Sequence, residues 1–401
     1  MHPSKAIHGI ASGRLKGRLV VLGITGSIGA VESVRTIREL IRHGADVQCI
    51  MSKDAEELVH PEAIRFASGR DVIRKIGGGV EHVSLFGKQG CADILVICPA
   101  SANTISKIAH GIADTPITLC AAAALGSRKP ILIVPVMNES LASNPFVSEN
   151  ISRLSKAGVE FFIPEAEEGK LKIPSPEDIV IHVLRALSSK PLARRRVLII
   201  SGSTEERIDD VRVITNISTG QTGIELAKEA YIQGGDVSMW IGRTHPPPPS
   251  YIPARRFSDV KSLMEMIKKV NAQIVIVPAA ISDYTPPRTE GKISSDQKKI
   301  TLTLEQTPKV LRGLKKRGVF VVGFKAESRV SPEVLIERAI QRMKEYDLDL
   351  MVANDLSVIS GLETTAHIIS RDGSVAVFKG KKSELAIFLI RKIVEEFKVR
   401  P

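Results

Sequence analysis

The feature that most constrains this chain is a rhythm: short β-branched runs alternate with segments of helical periodicity, and the rhythm runs twice. Residues 18–24 (Arg-Leu-Val-Val-Leu-Gly-Ile) read as a buried strand, and a Gly-rich turn follows. Ile28, Val31, Val34, Ile37, Leu40 and Ile41 then make one helical face, closed by Gly44. Further strands are expected at 46–51, 93–98 and 130–136. The pattern breaks at 164–178, which is acidic, contains lysines and holds three prolines, and so reads as a loop or flap. Ser188 to Arg196 reads as a linker, and at Val197 the rhythm restarts. Strands recur near 236–241, 273–278, 318–323 and 349–353, with helices near 222–233, 332–345 and 383–397. Alternation of this kind demands crossover connections and parallel pairing.

The expected fold is therefore α/β, with two doubly wound, mostly parallel-sheet (Rossmann-like) domains in tandem, 1–190 and 191–401. A chain of 401 residues that is 43% hydrophobic can bury two cores. Its net charge of +12 suits anionic ligands. Aromatics are only 4%, and apart from Arg194-Arg195-Arg196 the basic residues are scattered, which argues against nucleic acid as a partner. The cysteines Cys49, Cys91, Cys98 and Cys120 form no C-x-x-C pair and read as free thiols, three of them in apolar runs. Lys16 to Val31 loosely imitates a signal peptide, but its apolar part is Gly-rich and continues into an amphipathic segment. No apolar run is long enough for a membrane span, so a cytoplasmic protein without a membrane partner is expected. Pro246 to Pro249 reads as a stiff surface spacer.

Four pieces of the first half carry chemistry. Gly23, Gly26 and Gly29 stand three apart in the first strand-to-helix turn, where glycines allow close backbone approach and unpaired N–H groups suit a phosphate. The spacing is not that of a dinucleotide fingerprint, and a tight turn explains it equally well. Pro99-Ala100-Ser101-Ala102-Asn103-Thr104 ends a strand, the place where an open α/β sheet binds its ligand. Pro135-Val136-Met137-Asn138 ends the next strand. His82, in Val80-Glu81-His82-Val83-Ser84-Leu85, reads by itself more readily as a surface or core histidine than as a catalyst.

Taken in chain order, the Gly turn, the His82 segment, Pro99–Thr104 and Pro135–Asn138, over roughly 18–185, resemble the homo-oligomeric flavin-containing cysteine decarboxylase family. The resemblance implies bound FMN, with Gly26, Ser27, Ser52, Ser101, Asn103 and Thr104 as contacts. It also implies His82 as catalytic base, Asn138 as holder of the substrate carboxylate, and a trimer-based homo-oligomer. One departure is plain: the family carries a Cys in the flap after its fifth strand, and Pro164 to Pro174 holds none. The flap lysines Lys170 and Lys172 suit the substrate phosphate. Cys98 is the thiol next to the flavin loop, and its run reads equally as a buried strand.

The second half opens with Gly202-Ser203-Thr204 and Ile208-Asp209-Asp210-Val211-Arg212, then Asn216-Ile217-Ser218-Thr219-Gly220 before a helical run. Such a loop is either a dense donor set for an anion or an elaborate helix cap. Ala279-Ala280-Ile281-Ser282-Asp283-Tyr284, Gly323-Phe324-Lys325-Ala326-Glu327 and Val352-Ala353-Asn354-Asp355 end further strands, and Lys292 lies in a polar loop, where a lone lysine is usually solvated. Over roughly 195–397 these motifs resemble the phosphopantothenate–cysteine ligase domain. That resemblance implies Asn216 acting on an acyl-nucleotide and makes Ala279, Asp283, Lys292, the turn Pro308, Lys309, Val310 and Leu311, and Phe324 contacts of CTP. The family's lysine in Ser-Gly-Lys-Met-Gly is missing from Thr219-Gly220-Gln221-Thr222-Gly223, and its paired lysines before the Leu-Asp-Leu strand are replaced by Arg342, Lys344 and Tyr346, so the resemblance implies Arg342 or Lys344 as the cation that meets the CTP phosphates.

Both resemblances on one chain imply coenzyme A biosynthesis. Cysteine would be ligated to 4′-phosphopantothenate at the expense of CTP with Mg²⁺, and the product decarboxylated with FMN. The alternative is a flavin-binding prenyltransferase-like or regulatory first half joined to a nucleotide-binding domain with another acid substrate.

Overall fold

A computed structural model describes residues 2–399 except 295, 297–298, 316–317 and 356–362. The chain divides into two compact units, Met1–Ser188 and Ser189–Pro401.

The first unit is built on strands β1 (Leu19–Ile24), β2 (Asp46–Met51), β3 (Ile94–Ala100), β4 (Ile131–Pro135) and β5 (Glu160–Phe161). They form one parallel sheet in the order β2-β1-β3-β4-β5. All seven residues of β3 are buried, the continuous apolar run that a central parallel strand needs because both its faces are covered. Val21, Leu95, Ile97, Ile131 and Ile133 share one core with Ile105, Ile117 and Cys120 of the following helices. Helix α1 (Ser33–Arg42) and the helix Pro176–Leu187 pack together elsewhere in the unit. Because β1 connects to β2 on one side while β3 lies on the other, the order reverses between β1 and β3, and a crevice opens at their carboxyl ends.

Two readings need correction here. Ile28 and Val31 do not belong to the buried helical face: they are 70% and 51% exposed. Ile28–Glu32 is a 3₁₀ turn, whose tighter winding rotates these two side chains away from the face that Ile37, Leu40 and Ile41 bury. The segment 164–178 is also more than a loop. Ala166–Glu167 and Lys170–Leu171 form a hairpin whose turn residues Glu168 and Gly169 both have positive φ, as a tight hairpin turn demands. Lys170–Leu171 pairs in turn with Met137–Asn138.

The second unit holds β6 (Arg196–Ser201), β7 (Asp236–Ile241), β8 (Ala254–Arg256), β9 (Ile274–Val277), β10 (Phe320–Glu327), β11 (Leu350–Asp355), β12 (Glu363–Ser370) and β13 (Val375–Lys381). The sheet order is β8-β7-β6-β9-β10-β11-β12-β13, parallel up to β11 and antiparallel beyond it. Alternate residues of β6 serve two cores. Val197 and Ile199 join the helices Gln221–Ile232 and Lys382–Val399, whereas Leu198 and Ile200 join Val260–Ile267 and α2 (Pro332–Glu345). The expected linker 188–196 is packed onto this unit: Leu192 is buried and its N–H donates to Gln233 O at 2.9 Å. The order again reverses beside the first strand, between β6 and β9.

Candidate active sites

In the first unit, side chains tie the strand ends together at the crevice. Thr25 Oγ1 donates to Pro99 O at 2.9 Å and accepts from Ser101 N at 2.8 Å, joining β1 to β3. Ser27 Oγ donates to Val136 O at 2.9 Å, which brings in the segment after β4. Ser101 caps the helix Ala102–Ala109, accepting from Thr104 N, and its Oγ lies 3.2 Å from Thr104 Oγ1. Gly26 is required by space, since a Cβ there would lie 2.4 Å from Asp54 Cβ. Asn138 caps the next helical turn, its Oδ1 accepting from Leu141 N at 2.9 Å and from Ser140 Oγ at 3.0 Å. The cap thus spends the oxygen and leaves the amide Nδ2 as the donor for a ligand.

These pieces border one cavity of ≈ 810 Å³. Gly26, Ser27, Ser101 and Asn138 all line it, and the hairpin supplies Lys170 and Lys172. Sequence reasoning missed its apolar wall, in which Ile28, Val31 and Leu141 stand 70%, 51% and 45% exposed. Backbone N–H groups and hydroxyls at one end, with an apolar wall beside them, suit a phosphate carrying a flat aromatic ring. Ser52, which caps Lys53–Glu56, Asn103, which is exposed, and Thr104, which is buried, are not on the wall.

His82 is not on it either. It lies in Glu81–Phe86, and its Nδ1 is buried without a hydrogen-bond partner among the described residues. Buried polar atoms are ordinarily paired, and His82 Nδ1 shares this orphaned state with His367 Nδ1 in the second unit. Cys98 lies inside β3, 1% exposed, and burial pushes its thiol up to about 12, so it stays protonated at neutral pH, as a buried strand thiol does.

In the second unit the loops after β6, β7 and β9 are stitched together. Ser203 exchanges backbone hydrogen bonds with Arg243, Ala280 N donates to Gly202 O, and Thr204 N to Ala280 O. Gly202 has φ 86° and a Cβ there would sit 2.6 Å from Arg243 O, so only glycine allows this approach. Asn216 Nδ2 donates to Ala280 O at 3.1 Å, Ser282 N to Thr204 Oγ1 at 3.0 Å, and Thr307 N to Asp283 O at 3.0 Å. Lys309 reaches Asp283 Oδ1 at 2.5 Å. Asn216, Ala279, Asp283, Pro308 and Lys309 are thereby gathered at one end of the sheet. Val310 is different, because its side chain is buried in the core. Leu311 and Phe324 also pack against cores.

Lys292 is exposed, on a loop braced from both sides. Gly291 N and Ile293 N donate to Asp210 Oδ2 and Asp209 Oδ2, each at 3.1 Å. Burial of Asp209 opposes its ionisation. The N–H groups of Val211, Arg212 and Ile293 and the Arg212 guanidinium more than offset that and hold its carboxyl down at about 2. Gln221, standing where the ligase motif has a lysine, is bonded to Glu225 at 2.7 Å. Arg342 and Lys344 lie in the last turn of α2, which leads into the amino end of β11. That is the opposite end of the sheet from Ala279 and Asp283, so one chain does not bring them together. Arg342 instead donates to Tyr346 Oη at 2.6 Å and lies over its ring. No cluster of three or more His, Cys, Asp or Glu able to hold a metal occurs among the described residues. No described helix is long and apolar enough to cross a membrane.

The first unit matches the Flavoprotein family over residues 8–188, and the second matches the DNA/pantothenate metabolism flavoprotein C-terminal domain over 192–397. The chain is 41% identical over 397 residues to the coenzyme A biosynthesis bifunctional protein CoaBC of Thermococcus kodakarensis, covering 96% of this chain and 97% of that one. It is 36% identical over 400 residues to the protein of that name from Methanocaldococcus jannaschii, covering 98% and 97%. For the Vibrio vulnificus protein the figures are 31% over 405 residues, covering 94% and 98%. The chain thus belongs to the family of bifunctional coenzyme A biosynthesis proteins and is an enzyme with decarboxylase and ligase activities, its flavoprotein domain preceding its ligase domain.

Proposed function

We propose that residues 1–190 bind FMN and decarboxylate 4′-phosphopantothenoylcysteine to 4′-phosphopantetheine, and that residues 191–401 make that acid from 4′-phosphopantothenate, cysteine and CTP. The observation that carries this reading is the cavity at the β1/β3 crevice, shared by Gly26, Ser27, Ser101 and Asn138. Gly26, Ser27 and Ser101 would hold the flavin, with Ser52, Asn103 and Thr104 completing its surroundings. When bound, the flavin would supply an oxidant for the substrate thiol, and hence an electron sink for the charge that loss of carbon dioxide leaves on carbon, and would return the same two electrons to the decarboxylated enethiol, so that no net redox change results. Asn138 Nδ2 orients the carboxylate, and His82, with its unpaired Nδ1, takes up the proton. The resemblance to the homo-oligomeric flavin-containing cysteine decarboxylases supports a trimer-based homo-oligomer with sites shared between protomers, and His82 lying off its own chain's cavity is compatible with such sharing.

In the second half, a carboxylate oxygen of 4′-phosphopantothenate attacks the α-phosphorus of CTP and expels pyrophosphate, which leaves with Mg²⁺. The cysteine amine then attacks the acyl carbon, and CMP departs. Lys292 neutralises charge on the phosphates, Asn216 bonds the mixed anhydride, and Asp283, Ala279, the 308–311 turn and Phe324 hold the nucleotide. Such small-molecule chemistry belongs in the cytoplasm. The test uses the purified full chain. Flavin absorbance, and pyrophosphate release that needs both CTP and cysteine, support the reading. A colourless protein that takes up no added FMN contradicts its first half, and pyrophosphate release indifferent to cysteine contradicts its second.

A further inference from the structure

Three cations line the first-unit cavity: Arg35, Lys170 and Lys172. Two are neutralised. Arg35 has Glu32 at 3.4 Å, and Lys172 has Glu168 at 3.0 Å. Lys170 has no ion-pair partner among the described residues; Glu168 senses its charge, but Lys172 is what binds that carboxylate. The position of Lys170 is fixed by the backbone. It is directly opposite Asn138 in the antiparallel pair, and Glu139 N donates to Gly169 O at 2.8 Å just beyond. Directly opposed residues put their Cβ atoms about 5 Å apart on one face of the ladder. The pairing therefore sets the Asn138 and Lys170 side chains on one face of the ladder, both on the wall of the cavity. Asn138 is also two residues from Val136, whose carbonyl accepts from Ser27, so the pair stands beside the cradle rather than at the far end of the flap.

We propose that Lys170, with Asn138, binds the carboxylate that the decarboxylase removes, and so makes the site select the acid over its own product. This rests on the decarboxylase reading given above. The chemistry explains why a lone cation is useful there. The substrate carries two anionic ends, a phosphate and a carboxylate, and the product carries only the phosphate. A cation on the carboxylate holds the substrate and releases the product, because carbon dioxide leaves uncharged. A cation on the phosphate would hold both equally.

That difference is the test. The full-length, flavin-loaded protein and its Lys170→Gln and Lys170→Arg variants are titrated calorimetrically with two unreactive probes. One is 4′-phosphopantothenoylserine, in which a hydroxyl replaces the thiol; the other is its decarboxylated ethanolamine counterpart. Flavin absorbance checks that each variant is folded and loaded. Loss of a charge-assisted hydrogen bond predicts that Lys170→Gln weakens the serine acid about 10- to 100-fold and leaves the ethanolamine compound unchanged. Lys170→Arg retains most of the affinity for the acid. Equal weakening of both probes assigns Lys170 to the phosphate and overturns the proposal, and so does no weakening of either. If the unmodified protein binds neither probe, the reading of the cavity itself fails, an outcome separate from any effect of the variants.

Discussion

The two units solve one problem with different materials. Each places its ligand loops where the strand order reverses beside its first strand, β1/β3 in one and β6/β9 in the other. The first unit leaves an apolar wall open to a flat ligand, with Ile28 and Val31 exposed beside the Ser27 and Ser101 hydroxyls. The second uses charged, hydrogen-bonded braces. Asp209 and Asp210 hold the Lys292 loop, and Asp283 holds Lys309. Similar topology thus yields an apolar-walled crevice or a charged, hydrogen-bonded loop cluster, depending on what the loops carry. Function follows the loops, not the sheet.

The sharpest way to break this comparison is to remove one site and watch the other. His82→Asn should lower decarboxylation by about 10²- to 10⁴-fold with cysteine ligation intact. Lys292→Gln should lower ligation by about 10²-fold or more and spare decarboxylation. The measurements are carbon dioxide release from the preformed acid and pyrophosphate release with CTP and cysteine. Equal loss of both in a folded variant would mean that the sites are not independent. A smaller effect is expected from Asp209→Asn, which frees the brace without touching a substrate. Ligation should fall about 10- to 100-fold through misplacement of Lys292, and steady-state assays should show decarboxylation unaffected.

The smallest effect concerns stability. His182 is buried, stacked on Phe162 with ring centroids 3.6 Å apart, and desolvation lowers its imidazole to about 4. In the unfolded chain it binds a proton near 6.5, so between about 4 and 6.5 the unfolded state holds the extra proton. Stability contributed by neutral His182 is complete above about 6.5 and is lost as the pH falls toward 4, by about 3 kcal/mol. Urea midpoints of the first unit's transition should drop over that range and flatten in His182→Gln. An unchanged slope in the variant would assign the pH dependence to other groups.

Strands whose two faces are both buried were legible from sequence, because Ile94–Ala100 and Arg196–Ser201 carry their signal in composition alone. The strands β12 and β13 were missed although alternation is present: β13 exposes every second residue, as an edge strand with one wet face does. The flap hairpin was illegible for another reason. Its pairing partner, Met137–Asn138, lies some thirty residues away, and three prolines nearby read as loop. Ile28 and Val31 misled because helical spacing cannot reveal that the first turn is 3₁₀. Motif spacing pointed to Asn138 and Ser101, which do share a cavity, but could not say that His82 lies off it, since that depends on where Glu81–Phe86 packs.

The central claim is that one chain carries two separate active sites acting in series, and mixing two dead-ended variants tests it most directly. Full-length His82→Asn and Lys292→Gln proteins are each given 4′-phosphopantothenate, cysteine, CTP and Mg²⁺, alone and together. Separate sites predict that His82→Asn alone stops at the carboxylated intermediate, that Lys292→Gln alone makes almost nothing, and that the mixture yields 4′-phosphopantetheine. A mixture that yields no more than its separate components would contradict the account.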